Sequence, residues 1–139
     1  MEAGMNTHKK LFSPLVLAYL GDAFFETLAR EYLIGDGNCK PAELNDRSKA
    51  LVTAASQSGM VEKILPELTE EELAIYKQGR NAKSAHRSKS ASAIEYRRAT
   101  GLECLYGFFW INGQQERART LFAHCVKQIT GGTQLDRIN

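Results

Sequence analysis

Apolar residues in this chain recur at helical spacing, and nowhere do they alternate as a half-buried strand would. Ser13-Pro14 sets a hydroxyl suited to an N-cap before a proline at the first helical position. Proline is favoured there because its missing N–H would have no partner inside the helix anyway. Apolar side chains then run almost all round the helix to about Ile34, where Gly35-Asp-Gly-Asn38 stops it. A helix apolar on most faces belongs inside a protein. A second helical stretch begins near Pro41 and carries Leu44, Leu51, Val52, Ala55, Met60, Val61, Ile64 and Leu65, in two pieces around Gly59, before Pro66 ends it. Thr69 and Glu72 have capping-box spacing, with Leu73, Ile75 and Tyr76 following as a short amphipathic helix. From Gly79 to Ser92 the pattern gives way to a polar, serine-rich loop. A central apolar helix spans about Ile94 to Ile111 and stops at Asn112-Gly113. The last helix, from about Gln115 to Gln128, buries Ala118, Leu121, Phe122, Cys125 and Val126, and a frayed tail begins at Thr130. β-branched residues are sparse, so the fold class is all-α. The expected divisions are a flexible N-terminus over 1–12, one helical domain over 13–129 and a flexible tail over 130–139.

A chain of 139 residues, 43% of them hydrophobic, can bury a core without disulfides or a structural metal. Cys39, Cys104 and Cys125 are odd in number, far apart and never spaced as Cys-x-x-Cys. That pattern argues against a disulfide framework and a thiolate zinc site, and suits a reducing compartment. The first ten residues are polar, and the apolar run after them is broken by Ser13, Pro14 and Asp22. Neither a secretory signal nor a membrane span is expected, which makes the cytoplasm the default location.

Charge is uneven. The net value of +2 averages a segment from Lys77 to Arg98, with seven basic residues and one acid, over a remainder with 11 basic and 15 acidic residues. The segment carries +6 and the remainder −4, a local footprint for a polyanion.

Two acids stand out against this background. Asp22 interrupts the apolar run from Leu15 to Phe25, and Glu103 interrupts the run from Gly101 to Ile111. A lone carboxylate in such surroundings must be paired, protonated or bound to a cation. For Asp22 alone, an arginine or lysine partner, or a cap on a neighbouring helix, would explain it. Gly21 beside Asp22, and Gly101 and Gly107 around Glu103, favour a shared site. Glycine inside a helix costs about 1 kcal/mol relative to alanine and marks close approach of backbone or ligand. Oxygen-only ligands select a hard cation, Mg2+ or else Mn2+, with water and a substrate phosphate completing the shell. Glu26 lies one turn beyond Asp22 but is placed i,i+4 to Arg30, as an ion pair would be. Glu31, Glu43, Asp46 and the Glu67–Glu72 cluster read as solvated faces and caps. Cys104 reads as core packing. His8, His86 and His124 form no metalloprotease spacing, and no P-loop, dinucleotide fingerprint or nucleophile elbow is present.

The basic loop supplies phosphate donors at Arg80, Lys83, Arg87 and Lys89, and leads into the helix that carries Glu103. A solvated loop would have the same composition. Its position beside the acids, extended by Arg97 and Arg98, points instead to a nucleic-acid backbone held near the cation. Such binding is salt-sensitive and shape-selective, as for double-stranded RNA.

These residues resemble a known family. Tyr19-Leu-Gly-Asp-Ala-Phe-Phe25 is similar to the signature helix of ribonuclease III, and Gly101-Leu-Glu-Cys-Leu-Tyr-Gly107 to a later segment of that family. Leu17-Ala-Tyr-Leu-Gly-Asp-Ala23, Gly79-Arg-Asn-Ala-Lys-Ser84 and Tyr96-Arg-Arg-Ala-Thr-Gly-Leu-Glu103 together resemble the Mini-ribonuclease III branch, which has a catalytic domain only. The resemblance covers roughly residues 13–128 and makes 13–129 the catalytic domain. It implies a homodimeric, all-helical endonuclease that uses divalent metal, Mg2+ or Mn2+, to cut double-stranded RNA. Members trim the ends of precursor large-subunit (23S) ribosomal RNA. Each subunit's site cuts one strand, leaving a 5′-phosphate and a 3′-hydroxyl. Carried over residue by residue, the metal-binding and catalytic acids fall on Asp22 and Glu103, and the dimer-contact aromatic on Tyr19. The RNA-binding set is Arg80, Asn81, Lys83, Ser84, Arg87, Lys89 and Arg97. Further acids of full-length ribonuclease III are replaced here by Ala18, Ala54 and Thr100, so one cation per site is expected. Without a separate RNA-binding domain the affinity should be modest, which leaves room for a ribosomal protein that presents the substrate. The alternatives are a noncatalytic, ribosome-associated RNA-binding module of the same fold and a helical partner-binding protein. The last leaves the acid–glycine pairing unexplained.

Overall fold

The computed structural model describes residues 12–35, 37, 39–82 and 92–138, with side chains as far as Val126. Among these the chain forms six α-helices and no strand: α1 (Pro14–Ile34), α2 (Pro41–Val52), α3 (Ala54–Ile64), α4 (Glu70–Asn81), α5 (Ala93–Ile111) and α6 (Gln115–Ile138). A short 3₁₀ turn, Leu65–Glu67, follows α3. The all-α expectation holds.

Local chemistry sets most of the boundaries. Ser13 caps α1, its Oγ accepting from Val16 N at 3.3 Å, with Pro14 at the first turn. Capping boxes open α4 (Thr69 with Glu72) and α5 (Ser92 with Glu95). The break in the second helical stretch falls at Thr53 rather than Gly59. Thr53 is extended, at φ −67° and ψ 157°, and its hydroxyl accepts from Ser56 N at 3.2 Å. A side-chain cap therefore starts α3 there, while Gly59 rides inside the helix. The basic residues begin at the end of α4, which continues to Asn81. The last helix runs past the expected end near Gln128 to Ile138, since no proline intervenes.

At the centre is α5, apolar on most of its circumference, with Leu102, Cys104, Leu105, Tyr106, Phe108 and Phe109 buried. Its most extensive neighbour is α1, followed by α4 and α3. Phe25 of α1 meets Tyr106 and Phe122 edge-on, at ring separations of 5.4 and 5.3 Å. The Tyr106 hydroxyl donates to Ala118 O at 2.9 Å, satisfying the only polar atom of that fully buried side chain. Cys104 donates its thiol to Ile75 O at 3.6 Å, and burial pushes the thiol up to about 12, as suits a packing residue. No helix among the described residues is long and apolar enough to cross a membrane.

Two expectations of burial need correction. α1 is not covered all round: Leu15, Val16 and Tyr19 stand on one open face, Tyr19 at 85% exposure. Glu72 is not solvated; it is 5% exposed and forked by Arg117, whose Nε and Nη2 each lie 2.9 Å from a carboxylate oxygen. Its partner lies 45 residues away, so no local pattern reveals it.

Candidate active site

α1 and α5 cross so closely that glycine is required on both. A Cβ on Gly21 would fall 1.7 Å from the Glu103 carbonyl oxygen, and one on Gly107 would fall 2.0 Å from the Leu17 carbonyl oxygen. Residue 21 thus faces 103 and residue 17 faces 107, which makes the two helices antiparallel at the crossing. Alanine at either position would drive the backbones apart. α4 grips α5 on another side in the same way, through Gly79 against Cys104 and Tyr76 against Gly101. The glycines flanking the acids therefore mark helix–helix contact.

This crossing sets Asp22, next to Gly21, within the electrostatic field of Glu103. Asp22 is solvent-exposed, contrary to the buried position expected for it, whereas Glu103 is mostly withdrawn from water. Burial, and then the negative charge of Asp22, push the Glu103 carboxyl up to about 8; a hydrogen bond from Gln57 pulls modestly the other way. Asp22 is raised by partial burial and by Glu26 one turn on. Glu26 itself pairs with Arg30 at 2.6 Å, as its spacing predicts.

Among the described residues neither Asp22 nor Glu103 has a basic side chain at ion-pair distance. Two acids that repel each other without a cation between them will hold a proton or attract a metal. Among the described residues no three His, Cys, Asp or Glu side chains gather as a metal cage. Two carboxylates alone would suit one hard cation, with water or phosphate supplying the rest of its shell.

Gln57 was not foreseen. It is buried in α3, and its Nε2 donates to Glu103 Oε2 at 3.4 Å. A signal existed: Gln57, Met60, Val61 and Ile64 share helical spacing, so an amide interrupts an apolar stripe.

Of the expected RNA-binding residues, Arg80 and Asn81 end α4 and Arg97 is exposed on the second turn of α5. Arg80 lies over the Tyr76 ring, 5.8 Å from its centre, and donates to Asn81 Oδ1 at 3.1 Å. Lys83, Ser84, Arg87 and Lys89 lie outside the described residues. Arg98 is engaged instead by Glu62 at 3.0 Å and Ser58 at 3.4 Å, tying α5 to α3.

Two central helices that close over glycines, with an acid from each at the crossing, agree with the resemblance to ribonuclease III that the sequence carries. Residues 15–114 match the Ribonuclease III domain family. The chain is 43% identical over 121 residues to the Mini-ribonuclease 3 of Brevibacillus brevis, covering 87% of this chain and 90% of that one. It is 40% identical over 127 residues to the Mini-ribonuclease 3 of Enterococcus faecalis, covering 90% and 96%. A crystal structure of a Fusobacterium nucleatum protein superposes with a TM-score of 0.74 at 35% identity, covering 84% of this chain and 93% of that one. The chain belongs to the ribonuclease III family, in its Mini-ribonuclease III branch, a family of endoribonucleases.

Proposed function

We propose that this chain is a divalent-metal-dependent endoribonuclease that cuts double-stranded RNA, its substrate being the ends of precursor large-subunit (23S) ribosomal RNA. The observation that carries the reading is the meeting of Asp22 and Glu103 at the α1–α5 crossing without a basic partner among the described residues. Mg2+, or Mn2+ in its place, would be held by these two carboxylates and supply an activated water and charge neutralisation at the scissile phosphate. Arg80 at the end of α4 and Arg97 on α5 would, with Lys83, Arg87 and Lys89, neutralise backbone phosphates, while Asn81 and Ser84 would donate hydrogen bonds to them. Such contacts fix the duplex without reading its bases.

The open face of α1, with Tyr19, Val16 and Leu15, supports assembly as a homodimer, which would present two sites to the two strands of a duplex. Three free cysteines fit a reducing, cytoplasmic setting. A single short basic segment implies modest affinity, so a ribosomal protein that presents the RNA is consistent with it.

Incubation of the purified chain with structured RNA and Mg2+ tests the reading. Asp22→Asn and Glu103→Gln should each lower cleavage about 10³-fold, the loss of roughly 4 kcal/mol of charge stabilisation. RNA binding with no cleavage under any divalent metal would favour the noncatalytic RNA-binding module instead.

A further inference from the structure

Gln57 lies on the face of α3 that carries Met60, Val61 and Ile64, and is 1% exposed. Burying a primary amide among aliphatic side chains costs about 1–3 kcal/mol unless it is hydrogen-bonded. Leucine or methionine would fill that volume without the penalty, so the amide needs a reason to be there. It reaches across to α5, where Nε2 donates to Glu103 Oε2 at 3.4 Å. Among the described residues it is the sole side-chain donor to that carboxylate.

The chemistry of the donor matters. The Gly21 contact fixes the backbone at Glu103 but leaves its side-chain torsions to be set by something else. A lysine or arginine could orient the carboxylate, but it would also neutralise the charge and compete with any cation. A neutral amide orients without neutralising. Asparagine would be one methylene short, and glutamate would add a third negative charge.

On the reading of Asp22 and Glu103 as metal-binding acids, we propose that Gln57 is a positioning residue. Its amide engages Oε2 of Glu103, fixing the carboxylate so that Oε1 is left for the cation shared with Asp22. Gln57 touches neither metal nor RNA; it acts through Glu103.

Gln57→Met keeps length and approximate volume while removing the donor. Calorimetric titration with Mn2+ alone should show about tenfold weaker binding than wild type, the usual consequence of losing such a partner. At limiting Mn2+, kcat on double-stranded RNA should fall by a similar factor with KM for the RNA unchanged. The metal-free thermal midpoint should not fall, since an apolar side chain suits the site. A second measurement needs no variant: in wild type the Gln57 side-chain amide resonances should move on Mg2+ addition, at the midpoint of metal binding. Unchanged Mn2+ affinity in the folded Gln57→Met protein, or amide resonances that ignore Mg2+, overturns the positioning role alone. A wild-type chain that binds no Mn2+ overturns the metal reading, and the positioning role with it.

Discussion

Glu72 and Glu103 are both withdrawn from water on adjacent helices, α4 and α5, and the fold treats them in opposite ways. Glu72 receives a full complement of donors: Arg117 through Nε and Nη2 at 2.9 Å each, and Thr69 N at 2.9 Å. Although burial alone would raise it, the Arg117 and Thr69 bonds hold its carboxyl below the ordinary value. Glu103 receives one neutral amide at 3.4 Å and faces another acid, and its carboxyl rises to about 8. An acid whose charge is met inside the chain belongs to the structure. One left without such donors holds a proton that a cation from outside can displace. The contrast separates a structural ion pair from a candidate catalytic acid without reference to any relative.

The sharpest way to break this comparison is pH. In metal-free protein, Glu103 should keep its proton up to about 8 when folded and lose it near the ordinary 4.5 when unfolded. Between those values the folded state binds the extra proton, so stability falls as pH rises through the window and levels off above it. The effect is on the order of a few kcal/mol. Denaturant unfolding in chelator at several pH values should show this slope in wild type and lose it in Glu103→Gln, which should be the more stable protein near neutrality. An identical slope in the two would mean that Glu103 is well solvated, and the contrast with Glu72 would disappear.

Arg117→Met probes the other half. It leaves Glu72 buried without its cation, at a cost of about 2–3 kcal/mol, discounted because Arg117 is itself one-third exposed. The sign with pH is reversed. Glu72 is depressed when folded, so the pair stabilises fully above the ordinary 4.5 and fades as pH falls through the lower folded value. The stability difference between Arg117→Met and wild type should therefore shrink in acid. Cleavage rates at temperatures where both are folded should match, because Arg117 bonds Glu72 and the Glu67 carbonyl and neither Asp22 nor Glu103. A cleavage defect in a folded Arg117→Met protein would undo the separation of roles.

The two acids also mark how far the sequence can be read. The ends of α1, the Thr69 capping box and the apolar wrap of α5 are written in residues within a few positions of one another, and each emerged as expected. Asp22 and Glu103 stood out because each breaks an apolar run locally. What was missed depends on partners remote in sequence or on competing local caps. Arg117 reaches Glu72 across 45 residues and Gln57 reaches Glu103 across 46, so neither partner can be read locally, although the amide in the apolar stripe of α3 marks Gln57 itself. The helix break went to Thr53 because a hydroxyl that can cap outweighs a glycine that merely weakens a helix. Periodicity alone buries α1 all round, because hydrophobicity predicts burial without saying by which molecule; only the family resemblance sets Tyr19 apart on the open face.

The smallest expected effect isolates α3 from the chemistry it serves. A Cβ added at Gly59 meets nothing within 4 Å, whereas one at Gly21 runs into the α5 backbone. Gly59 lies inside α3, two residues beyond Gln57, and no positive φ holds it there. Gly59→Ala should therefore stabilise the fold by about 0.5–1 kcal/mol, mostly by narrowing the unfolded ensemble. In urea this should appear as a higher midpoint with an unchanged slope, the sign that stability alone has moved. Mn2+ affinity and cleavage should stay at wild-type values. If Gly59→Ala instead stiffened α3 and weakened metal binding, the reach of Gln57 to Glu103 would depend on give in its helix as well as on the amide. The 3.4 Å contact, long for a hydrogen bond, would then be one that must tighten when the site is filled.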